Sequence, residues 1–508
     1  MRAHTKRTVT AVAVVAVAAT AVAVRLYQLS ASSLSHDEGG SLQQSNGEGL
    51  WATLSYLART AEGDHFQPLY FVVLYLWRAI AGSSVFSLRL LSVLFSLAAL
   101  AMIALTATRV FGRLHALLAA TLVAVSAFFV FHAREARPYA LLLFLGALLL
   151  LLFVRVREER VRRSYPGVSW AFWACFGVAA FASITMAIMA AGLALGDALV
   201  DRHPRRWLRT WLPCAVAALP ALGFYLLSNA ATNPRDAGTT HLTGSLVRNV
   251  VFAGYGVLAG TTYGPPLEGL HGPGAAALVF SYWPSLLVLA AAVILAIVAT
   301  LLAIGGDALS DDERSVSLVL LVAFVASYAL MFVFAFTADL NWQPRHSFFL
   351  ALPLFLLLPL AVRGGRSGKR TPWHTIGWVA LGIIFLANVY SLGHLYWDDA
   401  YAGDDYRAVA RYVDEDAGRR SVLLFGYPVL LRYYGDDQTL DGRGLPQDRF
   451  GESVRALTGG APRVLLISNR EWAFWRQPQS IVEAMSERYR FEGSVQFAYF
   501  TLYRFSRR

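Results

Sequence analysis

The chain has 508 residues, 56% of them hydrophobic and only 15% charged, with a mean hydropathy of +0.48. Soluble proteins average about 25% charged residues, so an ordinary soluble enzyme and a disordered chain are both excluded. The 44 Lys and Arg against 33 Asp and Glu leave a formal charge of +11, which in a chain this apolar reflects basic cytoplasmic loops rather than a nucleic-acid partner.

Apolar runs of about 18 residues or more, enough to cross a bilayer, recur as far as residue 391. The first follows Met1-Arg2-Ala3-His4-Thr5-Lys6-Arg7 and continues into Arg25-Leu26-Tyr27, so it reads as a retained span rather than a cleaved signal peptide. Spans are predicted near 9–29, 86–108, 115–132, 139–154, 168–183, 185–200, 211–229, 276–304, 316–337, 347–362 and 374–391, about eleven in all. The stretch 168–200 reads as a helical hairpin turning near Ser183. Cys175 and Cys214 both lie in apolar segments and read as buried thiols. After Tyr390 the composition becomes that of a soluble domain. An amphipathic helix is predicted over 405–418, strands over 421–425 and 464–468, a helix over 481–489, and a strand pair or one long strand over 494–505. Alternating strands and helices predict a small α/β domain. The expected organisation is a transmembrane domain over 1–391, with a first outer loop at 30–84, and an extracytoplasmic α/β domain over 392–508.

The loops sort by charge. Arg109 with Arg113, the run Arg155 to Arg163, the run Arg202 to Arg209, and Arg363 with Arg366, Lys369 and Arg370 mark four cytoplasmic loops. The N-terminus joins them on that side. If the short apolar stretch 66–82 crossed the membrane, the first two of these loops would fall outside. It therefore reads as a helix lying along the outer surface, with Tyr70 and Trp77 near the headgroups.

A different set of residues collects in the outer loops. Ionisable groups at a membrane edge, away from the basic rim, are functional candidates. Asp37-Glu38 follows the first span closely. One reading makes the pair a base whose pKa is raised by its partner; the other has it capping a surface helix, with Ser35 or Asp37 as N-cap. Arg134, Arg137 and Arg345 suit a phosphate or snorkel at the interface; outer arginines run against the positive-inside trend. His65, in the first outer loop, reads as a hydrogen-bonding surface residue. Glu38 and Glu135 could share a divalent cation; no zinc spacing is present. Gly442 and Gly444 do not join a strand to a helix, so they are no dinucleotide fingerprint.

These motifs resemble those of membrane glycosyltransferases of the C fold (GT-C). More narrowly, the chain is similar to the protein O-mannosyltransferase and lipid A aminoarabinose-transferase superfamily. Ser35-His36-Asp37-Glu38 after the first span looks like the first-loop acidic motif. His65-Phe66-Gln67-Pro68-Leu69-Tyr70 is similar to His-x-Pro-Pro-Leu-Tyr, with Gln67 in place of the first proline. Arg134-Glu135-Ala136-Arg137-Pro138-Tyr139-Ala140-Leu141 and Ser87-Leu88-Arg89-Leu90-Leu91 match the bacterial branch. The resemblance covers roughly residues 9–365.

The resemblance implies an α-helical polytopic membrane protein that takes a sugar from a polyprenyl phosphate on the outer face and passes it to an acceptor hydroxyl with inversion. Asp37 would be the base and Glu38 would orient it. Arg134, Arg137, Tyr139 and Arg345 would hold the donor phosphate. His65, Gln67, Tyr70, Glu135 and His346 would line the substrates. The partners implied are a polyprenyl-phosphate-linked sugar, a glycan, lipid or protein acceptor, and membrane lipids of the plasma membrane. No cofactor is expected apart from the divalent cation left open above. The rival class is a transporter or flippase, but the polar residues lie at one edge and no repeated halves are visible. A non-catalytic scaffold is the third class.

Overall fold

The computed structural model describes residues 2–59, 67–162, 167–231, 254–266, 275–337, 344–365, 372–415, 421–424, 428–435, 439–442, 445, 449–469, 478–497 and 500–508. In chain order the first helices are α1 (Arg2–Leu26), α2 (His36–Gln44), α3 (Leu50–Arg59), α4 (Pro68–Ala81), α5 (Val85–Phe111), α6 (Arg113–Val125), α7 (Ala127–Ala133), α8 (Tyr139–Arg162), α9 (Gly167–Ala182) and α10 (Thr185–Asp201). The chain forms two compact units, Met1–Tyr27 with Gly47–Tyr401, and Gln28–Asn46 with Ala402–Arg508.

The large unit is helical. Among the described residues, seven helices are long and apolar enough to cross a membrane, from Thr8–Leu26 to Pro372–Trp397, and the pair α6 and α7, bent by 59°, brings the number to eight when taken as one span. The apolar helices Gly167–Ala182 and Phe348–Val362 and α10 account for the other predicted spans. The protein is a multi-pass membrane protein. α9 and α10 form the expected hairpin, with Ser183 Oγ and Thr185 Oγ1 2.7 Å apart in its turn.

The basic loops are joined at one end of this unit by ion pairs. Arg109 meets Glu158 at 3.2 Å. Arg157 and Arg160 hold Asp197 at 2.6 and 3.0 Å, Arg157 also reaches Ser315 at 2.9 Å, and Arg363 meets Glu313 at 2.6 Å. All four loops thus lie on the same side, as their charge predicts. Close helix packing brings Asp197 into reach. Gly192 and Gly196 face helix Asp311–Thr337, where an added Cβ would stand 2.7 Å from the carbonyl oxygens of Ala323 and Val319, the small-residue packing common in membranes.

α1 ends and α5 begins at the opposite end, so the helices between them make no net crossing. The longest, α4, has 14 residues and spans about 21 Å, short of the roughly 30 Å hydrocarbon core. This agrees with a surface helix over 66–82. Trp77 Nε1 donates to Ser87 O at 2.8 Å. Tyr70, expected at headgroup level, is instead fully buried, because its hydroxyl lies 3.0 Å from Ser92 Oγ on α5. Asp64 and His65 lie outside the described residues, as do 338–343 and 366–371.

The small unit contains a five-stranded sheet. Its strands are β1 (Ser421–Leu424), β2 (Thr439–Asp441), β3 (Arg463–Asn469), β4 (Tyr489–Gln496) and β5 (Phe500–Arg507), in the order β2-β1-β3-β5-β4. β1 pairs parallel with β2 and β3, and β5 runs antiparallel to β3 and β4. Leu423, Val454, Leu466, Ile481, Met485 and Phe505 fill its core. The stretch 494–505 is a strand pair, and the expected helix over 405–418 is Tyr406–Glu415. Helix Pro372–Trp397 runs past residue 391, which moves the start of this unit to Ala402. The segment Gln28–Asn46, read from sequence as transmembrane-domain loop, packs with it.

Candidate active site

In the large unit, the site is built around the break in the α6–α7 span. Ser126 caps α7 through Phe129 N at 3.4 Å, and Ala127 N donates to Asn388 Oδ1 at 2.9 Å. A break deprives the last carbonyls of α6 of helical donors. Arg25, fully buried, supplies them: Nη1 reaches Ala124 O at 3.0 Å and Nη2 reaches Val123 O at 3.4 Å. Its Nε is held by Ser96 Oγ at 2.9 Å. A cation at a helix C-terminus also favours the dipole. The reciprocal contact comes from the end of α7. Arg134 Nη1 donates to Tyr27 O, to Arg25 O at 3.4 Å and to Val24 O at 3.5 Å, and its guanidinium lies 4.8 Å from the Tyr396 ring centre. Burial lowers the Arg134 pKa; Tyr396 opposes that shift and nearby Arg89 adds to it. Arg134, expected at the donor phosphate, thus caps α1.

Beyond Arg134 the chain turns tightly into α8. Arg137 is buried, with Nη2 3.4 Å from Tyr139 OH and its guanidinium 5.6 Å from that ring's centre. Ser92 Oγ donates to Arg137 O at 3.4 Å and meets Tyr70 OH, so α4, α5 and α8 converge on Arg137. On α5 the buried Arg89, Ser92 and Ser96 fall at i, i+3 and i+7, one face of a helix. His132 Nδ1 sits 2.8 Å from Glu135 Oε2, and the His132 ring packs on Tyr139 and Phe348. Phe348 follows Arg345 and His346, both half-buried, so this pair stands near the same cluster. Gln67, at the start of α4, is buried, and its Oε1 has no hydrogen-bond partner among the described residues.

In the small unit, α2 carries the acidic pair. Ser35 is its N-cap and completes a capping box. Glu38 Oε2 accepts from Ser35 N at 2.8 Å, and Glu38 N donates to Ser35 Oγ at 3.3 Å. Glu38 is 1% exposed, whereas Asp37 is half-buried. Of the two sequence readings, the cap therefore describes Glu38. Among the described residues, no group of three His, Cys, Asp or Glu is placed to hold a metal ion.

Sequence reasoning did not single out Arg25, Arg89 or Asn388 as site builders. An ionisable residue inside a predicted span is the signal that marks Arg25 and Arg89.

Residues 64–228 match the family model described as dolichyl-phosphate-mannose-protein mannosyltransferase. No curated protein sequence matches the chain. Among solved structures, ArnT from Cupriavidus metallidurans in the apo state matches with a TM-score of 0.58 and 14% identity over 97% of each chain. The same protein bound to undecaprenyl phosphate matches with a TM-score of 0.56 and 14% identity over 97% of each chain. The archaeal oligosaccharyltransferase AglB from Archaeoglobus fulgidus gives 0.49 and 11% identity, over 98% of this chain and 74% of that chain. The chain thus has the fold of ArnT along nearly its whole length, and residues 64–228 carry the mannosyltransferase-family pattern that its motifs resemble.

Proposed function

We propose that this chain is a membrane glycosyltransferase that moves a hexosyl or pentosyl group from a polyprenyl phosphate to an acceptor hydroxyl, with inversion. The observation carrying the reading is the Arg137–Tyr139 pair, braced beside a broken span in a chain with the fold of ArnT, a protein that binds undecaprenyl phosphate. In this reading Arg137, Tyr139 and Arg345 grip the donor phosphate, and Arg134 braces the turn that presents them. Gln67, with its buried acceptor, His65, Glu135 and His346 line the sugar, and Tyr70 supports Arg137 through Ser92.

Asp37 takes the proton of the acceptor hydroxyl as that oxygen attacks the anomeric carbon. The bond to phosphate breaks on the opposite face, and the electron pair leaves on the phosphate. A lipid phosphate is a good leaving group, so arginine charge suffices without a strong acid. Glu38 fixes the first turn of α2 and so aims Asp37. The basic rim faces the cytoplasm of a plasma membrane, with the arginine cluster and the small unit outside.

The test is transfer from synthetic polyprenyl-phosphate sugars by purified protein in nanodiscs. Asp37→Asn should lower turnover by about 10²–10⁴, the usual weight of general-base catalysis, with donor binding retained. Glu38→Gln should cost far less, because glutamine also closes a capping box. The reverse ranking would move the base to Glu38; near-wild-type turnover in Asp37→Asn, at matched folding, would end the assignment.

A further inference from the structure

We infer that Asp404 is a positioning residue for the helix that carries Asp37. The inference rests on the reading of Asp37 as the base.

α2 is poorly equipped to hold its own position. It has nine residues, with Gly39-Gly40 in its centre. Helices this short are marginal alone, and each glycine weakens them further. What fixes it is a set of bonds over the four residues before Asp37, all to residues about 370–400 positions away. Ser33 Oγ donates to Asp404 O at 2.6 Å and accepts from Tyr406 N at 3.0 Å. Leu34 N donates to Tyr434 OH at 2.7 Å. His36 N donates to Asp404 Oδ2 at 2.7 Å, and His36 Nδ1 lies 3.2 Å from Tyr406 OH.

His36 N–H belongs to the first turn, where helical donors lack internal partners. Ser35 and Glu38 satisfy two donors of that turn, and Asp404 satisfies the one next to Asp37. Its carboxylate also sits at the positive end of the helix. Asp404 therefore fixes the height and rotation of α2 at the residue adjoining the base. A general base works only within hydrogen-bond reach of its proton, and small misplacements of reacting groups cost large factors in rate.

The experiment compares Asp404→Ala, Asp404→Asn, Tyr434→Phe and Asp37→Asn in the full chain in nanodiscs. It measures donor KM, kcat and amide hydrogen exchange over 33–44. Asp404→Ala should lower kcat by about 10–100-fold, leave donor KM unchanged, and speed exchange at the start of α2. Asp404→Asn should recover most of the rate, because its amide oxygen still accepts from His36 N. Tyr434→Phe, which keeps the ring, should show the same pattern more weakly and serves if Asp404→Ala does not fold. Faster exchange in Asp404→Ala with normal kcat, while Asp37→Asn abolishes transfer, would overturn the positioning role and leave the base intact. Unchanged exchange in Asp404→Ala would overturn it directly. An active Asp37→Asn would instead overturn the base reading on which it depends.

Discussion

Replacing Arg25 by methionine tests how the broken span is held. The side chains are similar in length, but methionine donates nothing. The wild-type guanidinium serves Ser96 Oγ and the carbonyls of Ala21, Val123 and Ala124. Ala21 O keeps its ordinary helical donor, and the Ser96 hydroxyl can turn to its own helix. Val123 O and Ala124 O have no such recourse, because the chain breaks at Ser126 just after them. A buried acceptor left without a donor costs about 1–3 kcal/mol, so the pair costs roughly 2–6. Relief from burying a charge offsets part of this, leaving a net loss of about 2–4 kcal/mol. Arg25→Lys should fall between, since one ammonium cannot reach Ser96 and both carbonyls with the same geometry. Tryptophan-fluorescence melting in detergent reads the stability, and polyprenyl-phosphate affinity reads the site, because α7 aims the 134–139 turn. An Arg25→Met protein that melts with the wild type and binds donor equally would refute the claim that Arg25 closes the break.

Arg137→Ala should weaken binding of polyprenyl phosphate about 10–100-fold through loss of charge-assisted hydrogen bonds; equal binding in a lipid-competition assay would return Arg137 to a structural role. Asp197→Ala should destabilise the protein by about 3–5 kcal/mol, since Arg157 and Arg160 would lose their shared carboxylate and Arg160 would keep only the longer contact to Asp201 at 3.5 Å; an unchanged melting point would show that the rim does not depend on Asp197. Single cysteines at Gly364 and Gly459 should label from opposite faces of sealed vesicles, Gly459 from outside; equal labelling of both from outside would sink the sidedness.

The sequence by itself determined the crossings, the single side shared by the four basic loops, the hairpin near Ser183 and the α/β character of the C-terminal stretch. Those properties depend on local composition: hydrocarbon length sets the spans, and arginine distribution sorts the loops. It also brought forward Asp37, Glu38, Arg134, Arg137 and Arg345, through motif resemblance and the cost of charge at a membrane edge. Tertiary structure shows what several of them touch. Glu38 lies three residues after Ser35, a spacing that permits a capping box, but only the folded turn shows it closed. Arg134 reaches the last carbonyls of α1, which lie about 110 positions earlier in the chain. Tyr70 is drawn inward by Ser92. The small unit includes Gln28–Asn46 because Asp404, Tyr406 and Tyr434 bond to it across some 370–400 residues. Pairings so distant leave no periodic trace in the chain, since each partner looks like an ordinary loop residue until the fold brings the two together.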